Sequence, residues 1–169
     1  MTQQHRLTLV LGGARSGKSR YGEELVMQAP APWTYVATAE ALDDEMRRRI
    51  AHHRQRRDGR WRTLDAPLGL PGALREVSGP VLVDCLTLWL SNVMLAGRSV
   101  EAESDELIAA LGTAAGPVVA VSNEVGMGLV PETPLGRAFR DAQGRLNQRV
   151  AAAADRVVFM AAGLPLSLK

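Results

Sequence analysis

The run Gly12-Gly13-Ala14-Arg15-Ser16-Gly17-Lys18-Ser19 carries the spacing G-x-x-x-x-G-K-[ST]. Glycines at those positions let the backbone curl until successive N–H groups converge on phosphate oxygens, and a helix that follows adds the positive end of its dipole. In such a loop Lys18 reaches the β- and γ-phosphates of a nucleoside triphosphate, and the Ser19 hydroxyl ligates Mg²⁺. The bland alternative is a glycine turn that merely caps a helix. The apolar run Leu7–Leu11 before the loop and the helical stretch Arg20–Met27 after it favour phosphate binding. A second chemical position is Asp84, which ends the apolar run Pro80-Val81-Leu82-Val83. A carboxylate there holds Mg²⁺ through water in nucleotide-binding α/β folds; the other reading is a cap for the helix that starts at Leu86.

The segment from Arg47 to Arg62 holds eight arginines against one acid, Asp58, and contains His52 and His53. A solvated helix face accounts for arginines at this density, and a packed core residue accounts for a histidine. Helical spacing separates the two histidines: His53 falls on the apolar stripe of Leu42, Met46 and Ile50, whereas His52 lies about 100° away, with Arg48, Arg49 and Arg56. Guanidinium groups around His52 favour the neutral, nucleophilic imidazole and can stabilise charge on a transferring phosphate. Phosphoryl or nucleotidyl transfer suits that combination, as does an arginine lid without covalent chemistry. A third cluster is Asn123-Glu124-Val125-Gly126-Met127-Gly128-Leu129-Val130-Pro131, followed by a helix carrying Arg137, Arg140, Asp141, Arg145, Asn147, Gln148 and Arg149. A solvated helix with pairs such as Arg137–Asp141, a second-substrate site and a subunit interface all fit it.

The elements that must position these residues follow from periodicity and punctuation. Strands are expected at 7–11, 33–38, 80–84, 117–122 and 155–160, with a weaker one at 61–64 and an edge strand at 165–169. Helices are expected from Gly17 to about Gln28, from the acidic turn Asp43-Asp44-Glu45 to the stop at Asp58-Gly59, and over 72–77, 86–96, 102–111 and 133–154. Strands alternating with helices predict a mostly parallel central sheet covered by helices on both faces, in one domain spanning 1–169.

With 169 residues and a net charge of +2, the chain is long enough for one α/β core and too nearly neutral to imply a nucleic-acid or membrane partner. Lysine occurs only at Lys18 and Lys169, so the one internal lysine sits in the phosphate loop. The single cysteine, Cys85, excludes an internal disulfide and fits a reducing compartment. No apolar run approaches the ~18–20 residues of a membrane span, and the first strand follows directly on Met1–Arg6. A cytoplasmic location is expected.

Together the phosphate loop, Ala37-Thr38, Leu42–Met46 with Ile50-Ala51-His52-His53, Trp61-Arg62-Thr63, Ser122–Pro131, Gly144–Gln148 and Ala151–Asp155 resemble one family. It is the bifunctional adenosylcobinamide kinase/adenosylcobinamide-phosphate guanylyltransferase family of cobalamin biosynthesis. The resemblance runs from Leu7 to Asp155 and implies a P-loop NTPase fold of the RecA-like kind. It implies phosphorylation of adenosylcobinamide by a nucleoside triphosphate, ATP or GTP. It further implies transfer of GMP from GTP through a covalent GMP-histidine, on His52, to adenosylcobinamide phosphate. By the same resemblance Gly12 to Ser19, Ala37, Thr38, Ala39, His53, Arg54, Gln55, Arg56, Asp65 and Asp84 touch nucleotide, Ser19 and Asp84 serve Mg²⁺, and the chain forms a homotrimer. A simpler P-loop kinase without covalent guanylylation, or a nucleic-acid-binding ATPase using the arginine segment, are the competing readings.

Overall fold

In a computed structural model the described residues are 5–40, 44, 48, 51 and 57–169. The chain runs β1 (Leu7–Gly12), α1 (Lys18–Val26), β2 (Trp33–Ala37), β3 (Trp61–Asp65), α2 (Leu70–Glu76), β4 (Val81–Asp84), α3 (Leu86–Leu95), α4 (Val100–Thr113), β5 (Val118–Asn123), α5 (Pro134–Ala153), β6 (Arg156–Ala161) and β7 (Leu164–Ser167). One sheet of seven strands has the order β3-β2-β4-β5-β1-β6-β7, parallel throughout except for β7. The helix expected over Leu42, Met46, Ile50 and His53 falls largely outside the described residues; Asp44, Arg48 and Ala51 within it are helical.

Strands buried on both faces read as unbroken apolar runs, and β1, β2, β4 and β5 are such strands. Alternate side chains feed two cores. Leu7, Leu9, Val81, Val83, Val118 and Ala120 pack with α2, α3, α4 and α5, whereas Val10, Leu82, Val119, Val121 and Val158 face α1. Helix α1 lies so close to the sheet that a Cβ on Gly22 would come within 2.9 Å of Leu82 Cδ1. The weaker strand signal at 61–64 comes from an edge strand whose side chains are mostly exposed, so its apolar periodicity is diluted.

Helix boundaries follow local chemistry. Ser99 Oγ accepts the Ala102 N–H (3.3 Å) and Thr133 Oγ1 that of Gly136 (3.1 Å), capping α4 and α5. Proline occupies the first turn of α2 and of α5, where its missing N–H costs nothing. The Asp155 carboxylate accepts the N–H groups of Leu7 (3.0 Å) and Arg6 (2.8 Å), which fastens the start of β1 to the start of β6 and holds that acid below its ordinary range, the Leu7 bond contributing most.

Candidate active site

The sheet puts the carboxyl ends of its six parallel strands on one edge, where ligands bind in open α/β folds. Register pairs Gly12 with Asn123, Ala37 with both Asp65 and Asp84, and Asp84 with Val121. Residues far apart in the chain thereby line one rim, and the end of β5 opens between the phosphate loop and Asp84.

The loop from Gly13 to Gly17 joins β1 to α1 as expected. Arg15 and Gly17 adopt positive φ (54° and 94°), the alternation that turns successive N–H groups inward. Two close approaches fix this shape. A Cβ on Gly12 would sit 2.6 Å from the Met160 carbonyl oxygen, and one on Gly17 would meet Gly163 Cα at 3.4 Å. The Ala162-Gly163 turn between β6 and β7 braces the loop, with the Gly163 N–H donating to Ser16 O (3.0 Å). Lys18 is buried at the head of α1 and donates from Nζ to Gly13 O at 2.6 Å, lying back along the loop it serves. Ser16 Oγ is buried with no hydrogen-bond partner among the described residues, a polar atom in place for a phosphate oxygen.

Asp84 does not cap the following helix: Cys85 holds the N-cap position of α3 and no side chain caps it. Asp84 instead accepts from the Tyr35 hydroxyl through Oδ2 (2.9 Å). Burial first, then the negative charge of Asp84, push the Tyr35 phenol far above its ordinary value, so it remains a donor. The Cys85 thiol is pushed up to about 11, by burial and then by Asp84, and stays protonated; it is no nucleophile at neutral pH.

Ala37 and Ala39 lie at the same rim, and Asp65 ends β3 exposed beside them. Thr38 sits between Ala37 and Ala39 in the chain. It is fully buried, its hydroxyl donates to Cys85 O (2.7 Å) and accepts the Cys85 N–H (2.8 Å), its own N–H reaches Asp84 O (3.3 Å), and its carbonyl accepts from Asn92 (2.9 Å). With those partners Thr38 shapes the rim, tying the end of β2 to the turn after β4. Thr38→Val keeps the volume but orphans the buried Cys85 N–H, while Cys85 O keeps the Trp89 N–H (3.2 Å), so it is expected to lower unfolding stability by about 1–3 kcal/mol. A urea denaturation midpoint shifted by less than about 0.5 kcal/mol equivalent would contradict that account.

Sequence reading missed a group around Tyr35. The Arg57 guanidinium lies over the Tyr35 ring, its Cζ 3.5 Å from the centroid, and its Nη1 faces Glu23 Oε1 of α1 at 4.0 Å. Trp61 packs edge-on to Tyr35 (centroids 6.5 Å apart) and against Trp33 (5.3 Å). Arg57 was one of eight arginines between Arg47 and Arg62, and nothing in their spacing set it apart.

The Asn123–Pro131 loop folds on itself. Glu124 accepts from the N–H groups of Gly126 and Met127, its own N–H donates to Gly12 O (3.0 Å), and Arg140 donates to Gly126 O. Behind it Ser122, Gln143 and Asn147 form a buried network, with Asn147 reaching Asn123 O (3.1 Å). Of the helix's arginines, Arg137 donates to the carbonyls of Pro131 and Glu132, and Arg149 pairs with Asp105 of α4. His52, His53, Arg54, Gln55 and Arg56 lie outside the described residues.

Comparison with known proteins gives one consistent result. Residues 8–168 match the family described as cobinamide kinase / cobinamide phosphate guanyltransferase. The chain is 48% identical over 166 residues to the bifunctional adenosylcobalamin biosynthesis protein CobP of Pseudomonas aeruginosa, covering 95% of this chain and 96% of that one. It is 41% identical over 181 residues to the bifunctional adenosylcobalamin biosynthesis protein CobU of Salmonella typhimurium, covering 96% and 99%. Among solved structures it resembles the RadB recombinase (TM-score 0.51, 16% identity, 90% of this chain and 73% of that one). It also resembles an ATPase of the type III secretion system of pathogenic bacteria (TM-score 0.55, 10% identity, 96% and 56%). These two likenesses concern the fold alone, that of RecA-like P-loop ATPases.

Proposed function

The chain belongs to the cobinamide kinase / cobinamide phosphate guanyltransferase family, and from that premise we propose which of its residues perform the two reactions. The enzyme is a bifunctional transferase of adenosylcobalamin biosynthesis, a kinase and a nucleotidyltransferase. The observation that carries the residue assignment is the convergence of the phosphate loop, Ala37, Asp65 and Asp84 on one rim of the sheet.

In the first reaction the loop N–H groups and Lys18 hold the β- and γ-phosphates of ATP or GTP; the aminopropanol hydroxyl of adenosylcobinamide forms an O–P bond to the γ-phosphorus and gives up its proton to solvent, while the β–γ phosphoanhydride breaks and the nucleoside diphosphate leaves. In the second, the neutral His52 imidazole attacks the α-phosphorus of GTP. A P–N bond forms, the α–β phosphoanhydride breaks, and pyrophosphate leaves with its charge against Lys18. The terminal phosphate of adenosylcobinamide phosphate then attacks the phosphoramidate, giving adenosylcobinamide-GDP and restoring the imidazole. A labile P–N bond divides one difficult displacement into two easier ones. His53, Arg54, Gln55, Arg56, Ala39 and Asp65 complete the nucleotide contacts, and Thr38 shapes the rim between them.

Mg²⁺ suits the donors present, because it is bound by one or two carboxylates together with substrate phosphates. Ser19 and Asp84 would hold it, Asp84 Oδ1 having no protein partner among the described residues. When bound it supplies positive charge against the polyphosphate. The family reading also makes the enzyme a cytoplasmic homotrimer. Among the described residues no helix is long and apolar enough to cross a membrane.

The test is incubation of the protein with GTP labelled at the α-phosphorus, followed by denaturing electrophoresis. The expected result is a protein-bound, acid-labile label that is chased into a corrinoid product by adenosylcobinamide phosphate. GTP labelled at the γ-phosphorus should leave the protein unmarked. Turnover without any labelled protein would rule out the covalent route.

A further inference from the structure

Most of the arginines from Arg47 to Arg62 have the composition of a solvated face, but Arg57 is not solvated. Its side chain is 5% exposed and the Glu23 side chain facing it is 10% exposed, so both charges are held away from water. A charge is buried at a cost that only close partners offset, and two are present on different elements. The Arg57 Cζ lies 3.5 Å from the centroid of the Tyr35 ring of β2, and Glu23 projects from α1, the helix that begins with Lys18, placing Oε1 4.0 Å from Arg57 Nη1, an ion-pair separation rather than a hydrogen bond. The platform is stiff: Tyr35 is itself wedged by Trp61 and pinned through its hydroxyl to Asp84. Two exposed charges nearby behave differently. Arg60 pairs with Asp58 in the surface turn, its side chain 62% exposed.

Arg57 is five residues beyond His52, so the chain itself holds the two Cα atoms within roughly 18 Å of each other. Where Arg57 is clamped therefore limits where the segment bearing His52 can go. Resting on the assignment of His52 as the nucleotide-bearing residue, we propose that Arg57 is a positioning residue for guanylyl transfer. Clamped between Tyr35 and Glu23, it anchors the exit of the histidine segment to the phosphate-loop helix and to the strand beside Asp84. The kinase step needs the loop and the rim but no imidazole from that segment, so the two reactions depend on the anchor unequally. Misplacing a reacting group by about 1 Å costs up to roughly 100-fold in rate, and an attack on phosphorus from a poorly anchored segment falls in that range.

The experiment is a rapid-quench measurement of single-turnover adduct formation from α-labelled GTP, set beside steady-state kinase turnover, in the full chain. The variants are Arg57→Met, Arg57→Lys and, as a surface control, Arg60→Met. Arg57→Met should slow adduct formation roughly 30- to 100-fold, while kinase kcat and nucleotide KM stay within about threefold. Arg57→Lys, which keeps the charge toward Glu23 but loses the guanidinium over the Tyr35 ring, should fall between it and the wild type, and Arg60→Met should match the wild type. If Arg57→Met fails to fold, judged by its melting curve, the Arg57→Lys ratio of the two activities decides. Equal loss of both activities, or adduct formation in Arg57 variants as fast as in Arg60→Met, overturns the proposal. A wild type that forms no adduct at all would instead refute the underlying His52 assignment, so the two failures are told apart.

Discussion

His52→Ala is expected to abolish the labelled GMP–protein adduct completely and to leave kinase turnover measurable. The second half follows from the chemistry of each step. Phosphoryl transfer to a hydroxyl is mostly positioning and charge stabilisation, and the groups proposed to supply these, the loop N–H groups, Lys18 and Asp84, are carried by β1, α1 and β4. Guanylyl transfer by the covalent route needs a nucleophile, and alanine offers none. Overall formation of adenosylcobinamide-GDP should drop by at least about 10⁴-fold, the general scale for losing a covalent nucleophile. His53→Ala provides the contrast, since the helical spacing puts His53 on the apolar stripe: it should reduce stability or nucleotide affinity and still allow an adduct. An adduct of full intensity in His52→Ala, or its loss in His53→Ala alone, would move the nucleophile to another residue.

Lys18→Met should instead cripple both reactions. Its ammonium is buried at the start of α1 and already lies within 2.6 Å of the loop carbonyl of Gly13, so it is pre-positioned against the space the polyphosphate fills. Charge built up on the transferring or departing phosphate is stabilised there in a site sheltered from water, where a fixed donor is worth most. Loss of one such donor costs roughly 10²–10³ in kcat, and Lys18 also contributes to ground-state binding, so kcat/KM for each half-reaction should fall roughly 10³- to 10⁴-fold. Lys18→Arg should not restore it. A guanidinium is a broad planar fork rather than a compact charge, and the loop is closed on its far side by Met160 and Gly163. Parallel kinase and adduct assays with a melting curve for each variant would check this. Retention of either activity within tenfold of wild type would separate that reaction from the phosphate loop.

The opposite patterns expected of these two variants mirror how differently their residues announce themselves. The phosphate loop was legible because its chemistry imposes residue types at fixed spacing within a single strand–turn–helix; nothing distant is needed to recognise it. Asp84 was legible as a carboxylate ending a buried apolar run. The proposal of His52 rests on its angle in the expected helix and on resemblance, both local properties of the sequence. The strand and helix order followed from periodicity, apart from the edge strand β3, whose half-exposed side chains dilute the signal.

Other features depend on pairings across the sheet. Register between strands, not sequence, sets Gly12 beside Asn123 and Ala37 between Asp65 and Asp84. The tie of the buried Thr38 hydroxyl to Cys85 could not be read from spacing, because a hydroxyl's partners depend on which backbone groups the fold brings within 3 Å. Asp84 gained Tyr35 rather than a helix to cap, and Arg57 separated from its neighbours only when β2 and α1 closed around it. The amino-acid sequence by itself determined the family, the alternation of elements and the residues able to do chemistry, since these rest on composition and short spacing. Which of those residues are tethered, buried or left facing the substrates was decided by tertiary structure alone, because burial and hydrogen-bond partners come from segments tens of residues apart that meet only on the folded sheet.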